Sequence, residues 1–406
     1  MNSITIKKPC VFEHDNKTSL QALVIFNIDN KIVNKTIFYE VDKEWGSYLT
    51  YELSDPFVLA LVDFAMEKNA YIKYEAPMTE DLRYQLERYL IPVYSRKLEP
   101  MHNIKIEGPV TTWKPLSKGV TGTGFSGGVD SFYTVLSHLD NVPASKKITH
   151  LLLCVNGAAN TGYSEALDKK WLADEETRFE PVAKKLGLKL ISVNSNVSLL
   201  DNYRKYFLGG GTVRTCSFVH ALRKLFGTYY WASAYEADVI NFNLEDPGYI
   251  EPFNVPLMSV DGLRFYHSGC EVSRIEKVEF IADNSLVEEN LTVCGQPKSC
   301  GHCYKCLRTM AELNSFGKID HYGKVFDLND FHKHYTSKLA REFASDHKEY
   351  VVNIKKNMHE HNINIPLIVE LKSVFIFKPY YFFKNLLKSN RLLMDLYYKK
   401  GWSEKQ

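Results

Sequence analysis

The chain has 406 residues and a formal net charge of +2; 45% of residues are hydrophobic and 24% charged. That length fits two or three domains, and the near-neutral balance argues against a strongly basic nucleic-acid-binding surface. No run of about 18 apolar residues is present, and Met1-Asn2-Ser3-Ile4-Thr5-Ile6-Lys7 lacks an apolar signal core, so no transmembrane segment and a cytoplasmic location are expected.

Residues 1–115 read as a separate α+β module. Strand patterning over 20–28 and 35–41 flanks a polar turn at Asp29-Asn30. Ser54-Asp55-Pro56 opens a helix over 57–68, with the proline near the first helical position, where its missing N–H is tolerated. A second helix is predicted over 79–89, with Leu82, Leu86 and Leu90 at four-residue spacing. No catalytic constellation is visible in this module.

Next comes Phe125-Ser126-Gly127-Gly128-Val129-Asp130-Ser131-Phe132, between a segment of small and apolar residues and an apolar-periodic run over 132–139. The order reads as strand, tight turn, helix. Adjacent glycines let the backbone approach a ligand closely. The N–H groups of the helix start then face it, and the helix dipole favours an anion. Ser126 and Ser131 add hydroxyls, and Asp130 adds a carboxylate suited to Mg²⁺. Such a turn suits pyrophosphate. Ser-Gly-Gly-x-Asp-Ser resembles the signature of the PP-loop ATP pyrophosphatases, which cleave ATP between the α and β phosphates. The Walker pattern is absent, which disfavours a γ-phosphate hydrolase.

Beyond the turn, strand and helix alternate. Strands are predicted over 149–156, 189–194 and 229–234, and helices over 179–186 and 217–226. This alternation argues for a parallel doubly wound sheet, whose ligands bind beyond the carboxyl ends of the strands. Gly209-Gly210-Gly211-Thr212-Val213-Arg214 reads either as a flexible anion loop, able to act as a lid, or as a plain surface connection. Arg214, His220 and Arg223 flank the following helix and are candidates for contact with phosphate or carboxylate.

Cys294, Cys300, Cys303 and Cys306 have the spacing C-x5-C-x2-C-x2-C. Turn-borne thiolates at C-x2-C spacing converge on one tetrahedral Zn²⁺, and four of them leave no site for water, so a structural metal is expected. An iron–sulfur cluster could use the same ligands; zinc is expected, since nothing else in the chain suggests redox chemistry. The last segment, 321–406, is aromatic and basic. Its apolar stretch 365–383, interrupted by Glu370, Lys372, Lys378 and Pro379, suits packing on the core or a partner subunit, or a membrane surface.

The segment 299–313, SCGHCYKCLRTMAEL, resembles the zinc-binding tail of the 7-cyano-7-deazaguanine synthase family. Ser273-Arg274-Ile275-Glu276 resembles that family's Ser-Lys-x-Glu helix start, with arginine for lysine, and Arg308 stands where the family has an arginine after its last cysteine. The resemblance covers about residues 120–318. It departs at Val155-Asn156-Gly157-Ala158, where the family carries Gln-Arg-His, and its Gly-Tyr-Pro-Asp-Cys loop has only a distant echo in Asp246-Pro247-Gly248-Tyr249-Ile250-Glu251-Pro252.

The resemblance implies an α/β fold: a doubly wound parallel sheet of the adenine nucleotide α-hydrolase kind with a zinc-bound helical tail. An N-terminal α+β module and a C-terminal helical extension flank it, dividing the chain at 1–115, 116–320 and 321–406. It implies an ATP-dependent ligase, forming AMP and pyrophosphate, that adenylates a small-molecule or protein-borne carboxylate and couples it to ammonia or an amine. Ser126, Gly127, Gly128, Val129, Asp130 and Ser131 would hold ATP and Mg²⁺; Ser126, Asp130, Ser131 and Arg274 would be catalytic; the four cysteines would hold Zn²⁺. Residue 2 is Asn2, so no N-terminal cysteine supplies ammonia, and free ammonia or a partner protein is required. The flanks suit a homo-oligomer or partner contact. Two other readings stand beside this one: a thiolase using Cys154 or Cys216, and a non-catalytic nucleotide-binding module.

Overall fold

The computed structural model describes residues 1–157, 164–199, 207–242, 246–295, 299–346 and 348–389. The chain forms two units, Met1–Ser273 and Arg274–Gln406.

The first unit is built on one mixed sheet of eleven strands. Its N-terminal part contains β1 (Ser3–Ile6), β2 (Cys10–His14), β3 (Lys17–Ile28), β4 (Lys31–Asp42), β5 (Tyr71–Tyr74) and, after the short β6 (Met78–Thr79), β7 (Ile106–Glu107). β8 (Val110–Thr111) pairs with β6 in a separate ribbon. The rest of the main sheet is β9 (Val120–Gly124), β10 (His150–Cys154), β11 (Lys189–Ser195), β12 (Phe226–Ala232) and β13 (Arg264–Ser268). The order is β13-β12-β9-β10-β11-β4-β3-β1-β5-β7, with β2 beside β3. The five strands from β13 to β11 are parallel; β11 then pairs antiparallel with β4 through Asn194↔Glu40 and Ser195↔Tyr39.

Local chemistry accounts for these elements. Along β3, Leu20, Ala22, Val24 and Phe26 fall on one face and are buried, the period of a half-covered strand. Asp29 and Asn30 both take positive φ, 52° and 61°, the two-residue turn that matches strand twist and sets Ile28 opposite Lys31. Helix Asp55–Glu67 starts with Pro56 in its first turn and is buried over most of its length. Two π turns share one cause. Leu86–Leu90 precedes Pro92, and Ser373–Phe377 precedes Pro379. A proline ring clashes with the carbonyl four residues back; here the chain widens, and the N–H groups of Ile91 and Lys378 reach Leu86 and Ser373, five residues back.

Three expectations change. Residues 1–115 are not set apart: β4 continues the sheet from β11, and the first unit extends to Ser273. The second unit starts at Arg274, so the cysteine segment belongs with the C-terminal helices rather than with the parallel strands. Residues 209–214 are not a loop. They lie within the helix Phe207–Ala221. Glycine lowers helix stability by about 1 kcal/mol per residue, but the helix downstream is fixed by burial of Val213, Cys216, Phe218 and Val219 in the apolar cluster of this unit.

Among the described residues the second unit is helical: Arg274–Ile281, Ser285–Asn290, Tyr304–Ser315, Leu328–Lys333, Tyr335–Phe343, Lys348–Glu360, and a run from Leu367–Lys372 through the π turn to Lys378–Ser389. Ala311, Leu339, Ala340, Phe343, Val351, Ile354, Met358 and Val369 form an apolar cluster. Among the described residues no helix is long and apolar enough to cross a membrane.

Candidate functional site

In the first unit, β10 and β11 lie to one side of β9 while β12 and β13 lie to the other. The direction of strand addition thus reverses between β9 and β12. In open sheets of this type that reversal opens a crevice at the carboxyl ends of the strands. Residues 125–128 fill the space between the carboxyl end of β9 and the helix Val129–Ser137. Gly127 has φ +66°, a conformation that costs a residue with a Cβ about 1 kcal/mol or more. Gly128 is extended and caps the helix; Phe132 N–H is the first to return to it, 2.9 Å from Gly128 O. The N–H groups of the first turn therefore have no carbonyl four residues back within the helix.

The side chains divide their tasks. Ser131 is buried and its Oγ donates to Gly128 O at 3.0 Å, which stiffens the turn. Ser126 is exposed, with its Oγ 3.4 Å from Ser131 Oγ. Val129 is buried. Asp130 is half-buried in the first helical turn. A phosphate at these N–H groups would lie close to this carboxylate and could be held there only with a cation between the two.

The carboxyl ends of the neighbouring strands bring further polar groups to this edge of the sheet. After β10, Asn156 Nδ2 donates to Thr215 Oγ1 at 2.8 Å. After β12, Tyr235 stacks on Tyr249 with ring centres 4.2 Å apart, and its hydroxyl donates to Asp246 at 2.9 Å. After β13, Glu271 accepts from Gly269 N–H at 2.9 Å and from Tyr133 OH at 3.3 Å. Sequence reasoning missed Tyr235 and Glu271. Their signal was positional only, each standing a few residues past a predicted or unrecognised strand.

Arg214, His220 and Arg223 are held away from any ligand. All three are buried. Arg214 pairs with Asp63 at 3.0 Å. Arg223 donates to Asp55 Oδ2 at 3.2 Å, Thr79 Oγ1 at 2.7 Å and Asp261 O at 2.7 Å. His220 Nε2 lies 3.0 Å from Met258 O, and its ring stacks on Phe265. Burial first, then the Arg223 charge, brings its pKa down to about 3, so it is neutral. Arg214 and Arg223 tie this stretch to Asp63, Asp55 and Thr79 of the N-terminal segment and His220 ties it to Met258 and Phe265, which corrects the phosphate-contact reading.

In the second unit the four cysteines meet. Their sulfurs all lie within 4.8 Å of one another, and Cys300 and Cys306 Sγ stand 3.8 Å apart. Four sulfurs about 2.3 Å from a tetrahedral zinc would be about 3.8 Å apart. Cys300 N–H points to Cys294 Sγ and Cys303 N–H to Cys300 Sγ, both at 3.4 Å, the donors a thiolate needs. Between them Gly301 takes φ +72°, and Lys338 Nζ donates to its carbonyl. The cluster could hold a metal such as zinc, and its four protein sulfurs complete a tetrahedral shell.

Arg274 and Arg308 also lie in this unit. Arg274 bonds to Glu312 at 3.1 Å and Thr309 at 3.2 Å. Arg308 lies over the Tyr350 ring at 4.0 Å, with Nε 3.9 Å from Glu342. Both therefore have structural partners beside the cysteine-bearing helix. Cys154 and Cys216 are both raised by burial, Cys216 the more enclosed, so neither is a thiolate at neutral pH. Comparison of this chain with protein-family models, with curated proteins and with solved structures finds no match.

Proposed function

We propose that the first unit is a PP-loop nucleotide-binding fold that cleaves ATP to AMP and pyrophosphate, and that the chain is an ATP-dependent ligase. One observation carries this: Ser-Gly-Gly-x-Asp-Ser stands at the carboxyl end of β9, where strand order reverses, and opens a nine-residue helix. First-turn N–H groups and the Ser126 hydroxyl would bind the β and γ phosphates. Ser131 holds the turn's shape through Gly128 O. Mg²⁺ on Asp130 would neutralise charge gathering on the departing pyrophosphate.

The reaction class follows from that cleavage. A carboxylate oxygen of the acceptor attacks the α phosphorus, and the bond to the bridging oxygen breaks with loss of pyrophosphate. Ammonia or an amine then attacks the activated carbonyl; AMP leaves and the amine gives up a proton. The thiolase alternative needs a thiolate near this edge, and the burial of Cys154 and Cys216 weighs against it. In the metal cluster, zinc closed by four sulfurs is a structural element and takes no part in the chemistry.

The test is incubation of the protein with Mg-ATP and a cell metabolite extract, followed by mass spectrometry. AMP, pyrophosphate and a consumed acid are expected, all abolished in Asp130→Ala. Formation of ADP and orthophosphate would sink the reading.

A further inference from the structure

The run of residues 367–389 is helical throughout, through the π turn that precedes Pro379. Its inner face is accounted for. Val369 and Ser373 are buried, Phe377 packs on the apolar cluster, and Lys372 Nζ bonds to Thr336 Oγ1 at 2.8 Å and Ser337 Oγ at 3.1 Å. Its outer surface is not. Leu367 and Phe375 are each 73% exposed, and Phe382 and Phe383 are 65% and 60% exposed. Ile368, Leu371, Val374, Ile376, Tyr380 and Leu386 are exposed beside them. A contiguous apolar surface of this extent marks a partner or a membrane.

Charge selects between these. Residues 367–406 carry eight lysines and arginines against three acidic residues, a net +5, in a chain whose total is +2. The remaining 366 residues are thus net −3, so the basic charge is concentrated on the aromatic segment. Its acidic Glu370 is taken up by Lys355 at 2.6 Å, while Lys378 is exposed within the apolar face. A second copy docked here would bring two net-positive segments together. An anionic bilayer answers both features: acyl chains take the aromatic and aliphatic side chains, and headgroups take the lysines.

We propose that the helix over 367–389 lies flat on an anionic membrane surface and makes this a peripheral membrane protein. At 1.5 Å per residue it is about 35 Å long, and its exposed side chains would enter the headgroup–acyl boundary while the Val369–Ser373 side stays on the protein. This inference is independent of the proposed ATP chemistry.

The test is flotation of the full chain with vesicles of phosphatidylcholine alone and of phosphatidylcholine with 30% phosphatidylglycerol, at low and high salt. Binding to the anionic vesicles, weakened by salt, is expected. Each of Lys378→Ala and Lys384→Ala should lower partitioning about fivefold, and Phe375→Ser with Phe382→Ser should lower it at least tenfold. Lys378, Phe375 and Phe382 are exposed and Lys384 is half-buried, so the fold should be kept, which unchanged circular dichroism and metal content would verify. Equal binding to neutral and anionic vesicles, or no binding to either, would overturn the proposal. So would a concentration-dependent dimer by light scattering that the phenylalanine substitutions dissolve and vesicles do not compete with.

Discussion

In Met1–Ser273 one apolar cluster runs from Ile4 on the first strand to Phe265 on the last, and its buried charges are paired across long stretches of chain: Asp55 with Arg223, Asp63 with Arg214. In Arg274–Gln406 the cluster around Leu339, Phe343, Ile354 and Met358 is far smaller, and four cysteines close a loop beside it. A metal held by the four sulfurs would tie Cys294 to the helix Tyr304–Ser315, a link with no counterpart among the described residues of the first unit. The two units should therefore fail for different reasons.

Metal removal is the largest expected effect. Structural zinc contributes on the order of 10 kcal/mol to the folding of small domains. Cys300→Ser, or a strong chelator at neutral pH, should strip hydrogen-exchange protection from the helices Tyr304–Ser315 and Tyr335–Phe343 while strands β3 and β9 stay protected. Uniform loss of protection in both units would erase the contrast. Elemental analysis should find about one zinc per chain.

The first unit has a weak point of the opposite kind. Arg223→Ala leaves Asp55 buried beside Thr79 without its cation, a change that typically costs about 3–5 kcal/mol. Its melting transition should fall while zinc content is unchanged. Asp130→Ala probes the same unit without touching its core. ATP turnover should fall about 10²–10³-fold, with the melting temperature within a few degrees of the parent. A similar loss of stability in both variants would mean that Asp130 is a structural residue.

What was legible in the chain follows the same division. The 125–131 turn and the cysteine quartet are local patterns, and both stand where the spacing put them. The hairpin turn at Asp29-Asn30 was equally local. The first ten residues of the helix Phe207–Ala221 were hidden by three glycines whose low propensity is overruled by packing, while its end overlaps the helix predicted over 217–226. The roles of Arg214 and Arg223 were hidden because their partners, Asp63 and Asp55, are 151 and 168 residues away. The continuity of 1–115 with the parallel strands rests on two residue pairs between β4 and β11, and nothing in composition marks such an edge.

The smallest predicted effect is the response to pH, which draws on different groups in the two units. In the first unit His150 is brought from its usual 6.5 to about 4 by burial and the Lys189 charge, and His220 to about 3. Between those values and 6.5 the unfolded chain binds protons the folded one does not, so stability is lost as pH falls from about 6.5. In the second unit burial lifts Glu342 from 4.5 to about 7; nearby Glu312 adds to the rise, and Arg308 and Arg274 oppose it. Its folded form keeps a proton the unfolded form has lost, so its contribution is whole below 4.5 and lost as pH rises through 7. Acidification from pH 7.5 to 5.5 should thus destabilise the first unit by about 1 kcal/mol for each histidine, while in the second unit Glu342 offsets only part of the loss that arises because unfolded cysteine thiols hold protons that zinc-bound thiolates release. Four of the five tryptophans, Trp45, Trp113, Trp171 and Trp231, lie in the first unit, so fluorescence reports it and hydrogen exchange over 304–343 reports the other. Glu342→Gln should steepen the second slope, and His220→Gln, which keeps a donor for Met258 O, should reduce the first. An unchanged slope in His220→Gln would show that other groups govern the response of the first unit.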